Sequence, residues 1–180
     1  MKKIRIFTFI MTLLFTVGCI TPTSVRAQEI GADQGISVDL EYVIGCEVLD
    51  EFLALNMNRG ISGVRSTVID LSDGADSRAF GALACDQIVS TNTYSITKTK
   101  IKVSLLSMRI NSPNVRVTLY ASNGQPLASQ NVSIPAFSTI SLTGANVTFR
   151  GLNSATQYYI EIKNLDTAST GDICITVSQA

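Results

Sequence analysis

The sequence predicts an all-β fold, an antiparallel, jelly-roll-like β-sandwich with one short N-terminal helix. Three observations lead there. Apolar residues recur with a period of two through most of the chain, which is the signature of strands with one buried face. Turn chemistry interrupts that pattern at short intervals, as in sandwiches and barrels. Serine, threonine and asparagine are abundant, and 16% of the 180 residues are charged.

The first 27 residues stand apart. Lys2, Lys3 and Arg5 precede a twelve-residue apolar run, Ile6 to Val17, and Val25-Arg26-Ala27 offers small or modest side chains before Gln28. A positive start, an apolar stretch too short to span a bilayer and a small-residue cleavage site together describe a secretory signal peptide. A second site competes with cleavage after Ala27: Thr16-Val17-Gly18-Cys19 is similar to a lipobox, in which Cys19 would be lipidated and hold the protein at a membrane. The expected location is secreted, periplasmic or cell-surface, with no transmembrane helix in the mature chain.

Residues 28–180 are expected to form one domain around a single core, less regular over 28–95. Ile36, Val38, Leu40, Tyr42 and Ile44 alternate with Ser37, Asp39, Glu41 and Val43, a half-buried strand. Val48, Leu49, Phe52, Leu53 and Leu55 then recur at helical spacing against Glu47, Asp50 and Glu51, which predicts a helix over 47–57. Residues 75–84 read as a weaker helical turn. From Thr97 to Ile110 the alternation returns, with Lys98, Lys100 and Lys102 on one face and Ile101, Val103 and Leu105 on the other. Its phase slips at Leu105-Leu106, predicting a bulge that turns Leu106, Met108 and Ile110 inward.

Val115, Val117 and Leu119 form the next inward set. Asn123-Gly124 predicts a two-residue hairpin turn with positive φ at both positions. Further strands are expected around 132–134, 140–142, 147–149, 158–162 and 173–177, with turns at Pro135, Gly144, Gly151-Leu152-Asn153 and Gly171.

Composition narrows the chemistry. Histidine is absent, so Ser-His and Cys-His nucleophiles and histidine-ligated metals are excluded. There is no nucleophile-elbow Gly-x-Ser-x-Gly and no phosphate-binding glycine loop. Signal-peptide removal takes four bases (Lys2, Lys3, Arg5, Arg26) and no acid, leaving 10 bases against 14 acids, a net charge of −4. That balance argues against a nucleic-acid partner. The charge is uneven: residues 28–86 hold 11 acids and 3 bases, residues 87–180 hold 3 and 7. Packing of one half beside the other accounts for it, as would head-to-tail attraction between copies.

Asp70, Asp73 and Asp76 surround Gly74 on one acidic turn, a candidate for calcium, which takes oxygen ligands. Their spacing of three differs from the EF-hand alternation. Otherwise no cofactor is expected. Cys46, Cys85 and Cys174 remain after cleavage at Ala27. A Cys46–Cys85 disulfide would close a loop of about 40 residues and stabilise by about 2–4 kcal/mol. Cys174 alternates out of phase with Ile173, Ile175 and Val177; a covered small residue and an intermolecular thiol are both open. Asn131 and Asn146 begin sequons that a bacterial leader makes accidental. Alternation places Tyr120 and Tyr159 on the outward side as a candidate contact surface.

Val117-Thr118-Leu119-Tyr120 with Asn123-Gly124, then Ala155 to Ile162, then Ile173 to Val177 resemble the bacterial pre-peptidase C-terminal domain, over about 99–178. That likeness implies a small β-sandwich on a secreted protein. The family's early aspartate is replaced near Arg116, so its calcium role does not carry over. The strand Ile36 to Val48, running into Cys46, is similar to the opening of a secreted pilin, with Cys85 in the place of a partner cysteine. That likeness implies strand donation to a neighbouring subunit.

The reading is an exported, non-catalytic β-sandwich binding or accessory module at the bacterial cell envelope. The alternative is a structural subunit of a surface fibre or adhesin. Expected partners are other envelope or surface proteins, or further copies of the chain.

Overall fold

The computed structural model describes residues 35–44, 67–108, 112–136 and 143–180. The expected signal peptide, Cys19, Cys46, the helix expected at 47–57 and the strand expected at 140–142 lie outside the described residues. The described chain is all-β, with eleven strands in two sheets. They are β1 (Ser37–Ile44), β2 (Val68–Asp70), β3 (Asp76–Phe80), β4 (Ile88–Ser90), β5 (Thr93–Ser95), β6 (Lys100–Ser107), β7 (Asn114–Ala121), β8 (Pro126–Ser133), β9 (Thr143–Arg150), β10 (Tyr158–Asn164) and β11 (Ile173–Gln179).

One sheet has five antiparallel strands in the order β1-β9-β6-β11-β3. The other has six: β2-β5-β10-β7-β8, with β4 also paired to β10. Only β2 and β5 run parallel. The chain changes sheet at most connections, and only β4–β5 and β7–β8 stay within one.

Alternation explains which side chains meet. Val38, Leu40, Ile101, Val103, Leu105, Val147, Phe149, Ile173, Ile175 and Val177 face inward from the first sheet. Val115, Val117, Leu119, Val132, Tyr158, Ile160 and Ile162 answer them from the second, in one continuous core. On β1, Tyr42 shares the inward phase but lies at the strand's far end and is 40% exposed.

Four expectations are corrected. Residues 76–80 form β3, not a helical turn: Ala79 and Arg78 favour helices weakly, and pairing along β11 outweighs that preference. No phase slip interrupts β6, whose residues from Ile101 to Ser107 pair with β11 in unbroken register. Leu106 therefore points outward and packs with Cys174, because Leu105 and Leu106 serve two different apolar faces.

The third correction is the hairpin. Gly124 has φ of 90°, but Asn123 is not in the left-handed region. The Gly124 N–H donates to Ala121 O at 2.9 Å, and the Ala121 N–H donates to Gln125 O at 2.9 Å, so the loop has three residues, Ser122 to Gly124. A tight turn closed by a left-handed glycine is the next most common hairpin solution. It is followed by a register shift at Leu119/Tyr120, which lets both Leu127 and Ala128 turn inward. Fourth, Gly144 is not a turn; β9 runs through it.

Two ion pairs, Asp39–Arg150 and Asp86–Lys163, join the acidic first part of the chain to the basic remainder. Both are partly or largely exposed, so their weight is small. The Lys163 ammonium beside Asp86 holds that carboxyl below its ordinary range.

One polar group is misplaced in this core. Gln130 faces inward on β8, opposite Val117, and is 8% exposed. Its Nε2 donates to Asn131 O, while its Oε1 is buried without a partner among the described residues. An unpaired buried acceptor costs about 1–3 kcal/mol. Gln130→Met keeps the length and removes the acceptor, so it is expected to raise the urea midpoint by the equivalent of about 1 kcal/mol. A lower midpoint would show that the amide has a partner.

Candidate functional site: a cleft at the loop end

Three segments converge at one end of the sandwich: the entry to β1, the β7–β8 hairpin and the β9–β10 loop. They enclose a cleft of about 410 Å³ lined by Ile36, Ala121, Asn123, Gln125, Leu127, Gly151, Asn153, Thr156 and Tyr158. Among the described residues no charged side chain lines it. Ile36, Ala121, Leu127 and Tyr158 supply apolar surface, and the remaining side chains are amides and a hydroxyl.

Hydrogen bonds within the loops fix the polar groups. Asn123 Oδ1 accepts from the Gln125 N–H at 3.0 Å, and Asn153 Oδ1 accepts from the Ala155 N–H at 2.9 Å. These side-chain turns are the usual reason for asparagine in tight loops. They orient both carboxamides and leave each Nδ2 amino group uncommitted among the described residues. The Tyr158 hydroxyl accepts from the Asn153 N–H at 2.8 Å and donates to Asn153 O at 2.9 Å. The Ser122 N–H donates to Gln157 O at 2.8 Å and ties the hairpin to the opposite loop.

Gly151 makes this convergence sterically feasible. Its φ is 79°, and a Cβ there would lie 2.7 Å from the Gly35 carbonyl oxygen. Gly151→Ala is therefore expected to cost about 2 kcal/mol, from the left-handed backbone and from pushing the β1 entry away. Thermal unfolding measures it, and an unchanged midpoint would refute the close approach.

The residues singled out by sequence fall elsewhere. Asp70 is exposed at the end of β2; the Ser72 N–H donates to its Oδ1 at 2.8 Å and holds its carboxyl below the ordinary range. Asp76 turns the other way: it accepts from Arg78 Nε at 2.9 Å and from the Tyr94 hydroxyl at 2.8 Å. Asp70, Asp73 and Asp76 are thus not brought together. Among the described residues no three acidic or thiol side chains are grouped to hold a metal ion.

Tyr94 itself is fully buried, and its phenol is pushed far above the ordinary value of 10.0, first by burial and then by the Asp76 carboxylate. A raised value means that the folded state favours the neutral phenol. This contribution is complete below about pH 10 and fades as pH rises above it. Tyr94→Phe is expected to destabilise by about 2 kcal/mol at neutral pH through loss of the bond to Asp76. Its difference from wild type should narrow above pH 10, read from urea midpoints; a gap independent of pH would contradict this.

Tyr120 and Tyr159 do lie on the outward face of the six-stranded sheet. Their rings stack at 4.9 Å between centroids and 6° between planes. Tyr159 is only 2% exposed, and Tyr120 is half-buried. Cys85 is exposed and Cys174 buried, both as free thiols. Desolvation, then Asp172, pushes the Cys174 thiol up. The Cys46–Cys85 pairing involves a residue outside the described ones.

No protein-family model matches the chain, and no curated protein matches its sequence. Sequence reasoning did not single out the cleft. Asn123-Gly124 and Gly151-Leu152-Asn153 were read only as turns, and nothing local reveals that two turns from different hairpins meet.

Proposed function

We propose that the protein is an exported, non-catalytic β-sandwich binding module whose loop-end cleft takes an uncharged, hydroxyl-rich ligand, a neutral oligosaccharide. The observation that carries this is the pairing of two pre-oriented carboxamides, Asn123 and Asn153, with apolar surface in a cleft free of charged side chains. Small-molecule sites combine apolar walls with a few fixed polar groups. Amide donors suit sugar hydroxyls, and Ile36, Leu127 and Tyr158 suit the C–H faces of the ring. An ionic ligand would find no counter-charge in the lining.

The signal peptide supports export, and the jelly-roll-like arrangement fits a surface module. The stretch that resembles the pre-peptidase C-terminal domain corresponds to β6 through β11, which supply the three inner strands of the five-stranded sheet, β10 and β7 of the other, and the two main cleft loops. Its relation to that domain is part of this proposal.

The test is titration of the isotope-labelled protein with neutral and charged oligosaccharides, followed by amide shifts. Neutral sugars are expected to move residues 121–127 and 151–158. Asn123→Ala combined with Asn153→Ala is expected to weaken binding about tenfold, the loss of two ordinary hydrogen bonds. Shifts confined to other surfaces, or a preference for charged sugars, would overturn the proposal.

A further inference from the structure

The β7–β8 hairpin needs a left-handed residue to close its loop, and Gly124 supplies it with φ of 90°. That glycine alters the chemistry of the residue before it. The backbone nitrogen that follows an asparagine is able to attack the side-chain Cγ and close a five-membered succinimide. A side chain on the following residue crowds this nitrogen, whereas glycine leaves it open. Asn123-Gly124 is the one Asn-Gly step in the chain. Both residues are exposed at a loop tip, where local opening costs least. A Cβ added at Gly124 would meet nothing within 4 Å, so this side of the turn is open to water.

Hydrogen bonds in the turn act in both directions. Asn123 Oδ1 accepts from the Gln125 N–H at 3.0 Å, which folds the carboxamide back over the Asn123–Gly124 peptide. The same donor stabilises the negative charge that develops on Oδ1 during attack. Nδ2, the leaving group, has no partner among the described residues. Against this, the Gly124 N–H donates to Ala121 O at 2.9 Å. Breaking that one bond frees the nucleophile, while the Ala121 N–H still closes the hairpin on Gln125 O at 2.9 Å.

The other described asparagines lack this combination. Asn153 makes the equivalent bond to the Ala155 N–H at 2.9 Å, but Ser154 follows it. Asn114 ties its Nδ2 to Asp166 Oδ1 at 2.8 Å, and Val115 follows. Asn131 and Asn146 lie within β8 and β9, each before a β-branched valine. Asn92 and Asn164 are buried.

We infer that Asn123 is a modification site, at which the folded protein loses its carboxamide by spontaneous deamidation. A bond forms between the Gly124 nitrogen and Asn123 Cγ, the Cγ–Nδ2 bond breaks, and ammonia leaves with the proton from the Gly124 nitrogen. Water then opens the ring at either carbonyl and leaves aspartate or isoaspartate. No oxidant or reductant is needed. Either product places a carboxylate in a cleft that no charged side chain lines among the described residues. Isoaspartate also lengthens the backbone of the loop by one carbon. The functional consequence rests on the neutral-oligosaccharide reading of the cleft. One of its two amide donors is lost, and the new charge must shed water when the ligand enters. The reaction is then an irreversible switch that lowers affinity.

The test is incubation of the folded wild-type protein at mildly alkaline pH, with each asparagine peptide followed by mass spectrometry. Asn123 is expected to convert to the acid at least about tenfold faster than Asn153, the effect of a small barrier difference at an unhindered nitrogen. The rate should rise with hydroxide, and the product should include isoaspartate, which only the cyclic route yields. Equal conversion at Asn123 and Asn153, or acid formed without isoaspartate, would overturn the assignment. Asn123→Asp tests the consequence separately. It should bind neutral oligosaccharide about fivefold more weakly, through the lost donor and the added charge. Its melting temperature should stay near that of wild type, because the carboxylate still accepts from the Gln125 N–H. Conversion at Asn123 with undiminished binding by Asn123→Asp supports the modification site and overturns the cleft reading. A persistent amide with weakened binding by Asn123→Asp does the reverse.

Discussion

Replacing Phe149 with alanine is expected to destabilise the protein by about 3–5 kcal/mol, the range for emptying a phenylalanine site in a packed core. Phe149 is fully buried on β9, directly between Val38 of β1 and Ile101 of β6. β9 is the only strand that pairs β1 to the rest of its sheet among the described residues, so the cavity would open beside the attachment of an edge strand. The melting temperature should fall by about 6–20 °C for a domain of this size. Phe149→Leu refills most of the volume and should recover more than half of the loss, whereas a polar replacement of equal size should not. A loss below about 1 kcal/mol in Phe149→Ala would mean that β1 and β6 close over the gap, and that the core is less tightly packed than its burial implies. The effect should also extend to function, because the strand end at Arg150 leads directly into Gly151 and the cleft.

Phe149 belongs to what was legible in the sequence. Period-two alternation located β1, β6, β7, β9, β10 and β11 because each has one face in the core, and burial enforces the phase. The short strands β2, β4 and β5 were missed: three residues are too few for a period to register, and Tyr158↔Tyr94 is the only pair joining β5 to β10. β3 was misread because its residues show no strand preference of their own and depend on β11. Leu105-Leu106 was misread for the opposite reason. Two adjacent leucines suggested a slip only on the assumption that the outer face is solvated, and it is not. The cleft was invisible because its residues were individually recognisable as turn formers. Their meeting is a property of topology, which brings the β7–β8 hairpin beside the β9–β10 loop.

Asn164→Ala is the second substitution expected to have a large effect, and no pattern in the sequence points to it. At the inward end of β10, where an apolar residue is expected, Asn164 is fully buried. Its Nδ2 lies 3.2, 3.0 and 2.9 Å from the carbonyl oxygens of Leu83, Ala84 and Ala168, so two N–H donors serve three acceptors. Its Oδ1 accepts from the Asp166 N–H at 2.9 Å, and its own backbone N–H donates to Gln87 O at 3.0 Å. Thr170 reinforces the junction by accepting from the Leu83 N–H through its hydroxyl and donating to Leu83 O from its backbone, both at 2.9 Å. One side chain thus joins the 81–87 loop, which carries Cys85, to the connection between β10 and β11. Alanine would leave several buried polar groups unpaired, each worth about 1–3 kcal/mol, and a total loss of about 3 kcal/mol is expected after partial rescue by water. Amide exchange of residues 83–87 should accelerate more than that of β6 or β9, since the loop loses its anchor while the core persists. Asn164→Asp makes the electrostatic content testable. It keeps the acceptor but turns a charged carboxylate toward carbonyl oxygens, so at neutral pH it should be less stable than the alanine variant. Such a carboxyl has its folded value raised, and the folded state therefore favours its protonated form. Relative to wild type, Asn164→Asp should regain stability as pH falls from neutral toward about 4, with the regain complete below that, because the neutral acid donates one of the missing bonds. If it instead tracks wild type at every pH, the carbonyls are paired elsewhere and Asn164 is not the anchor.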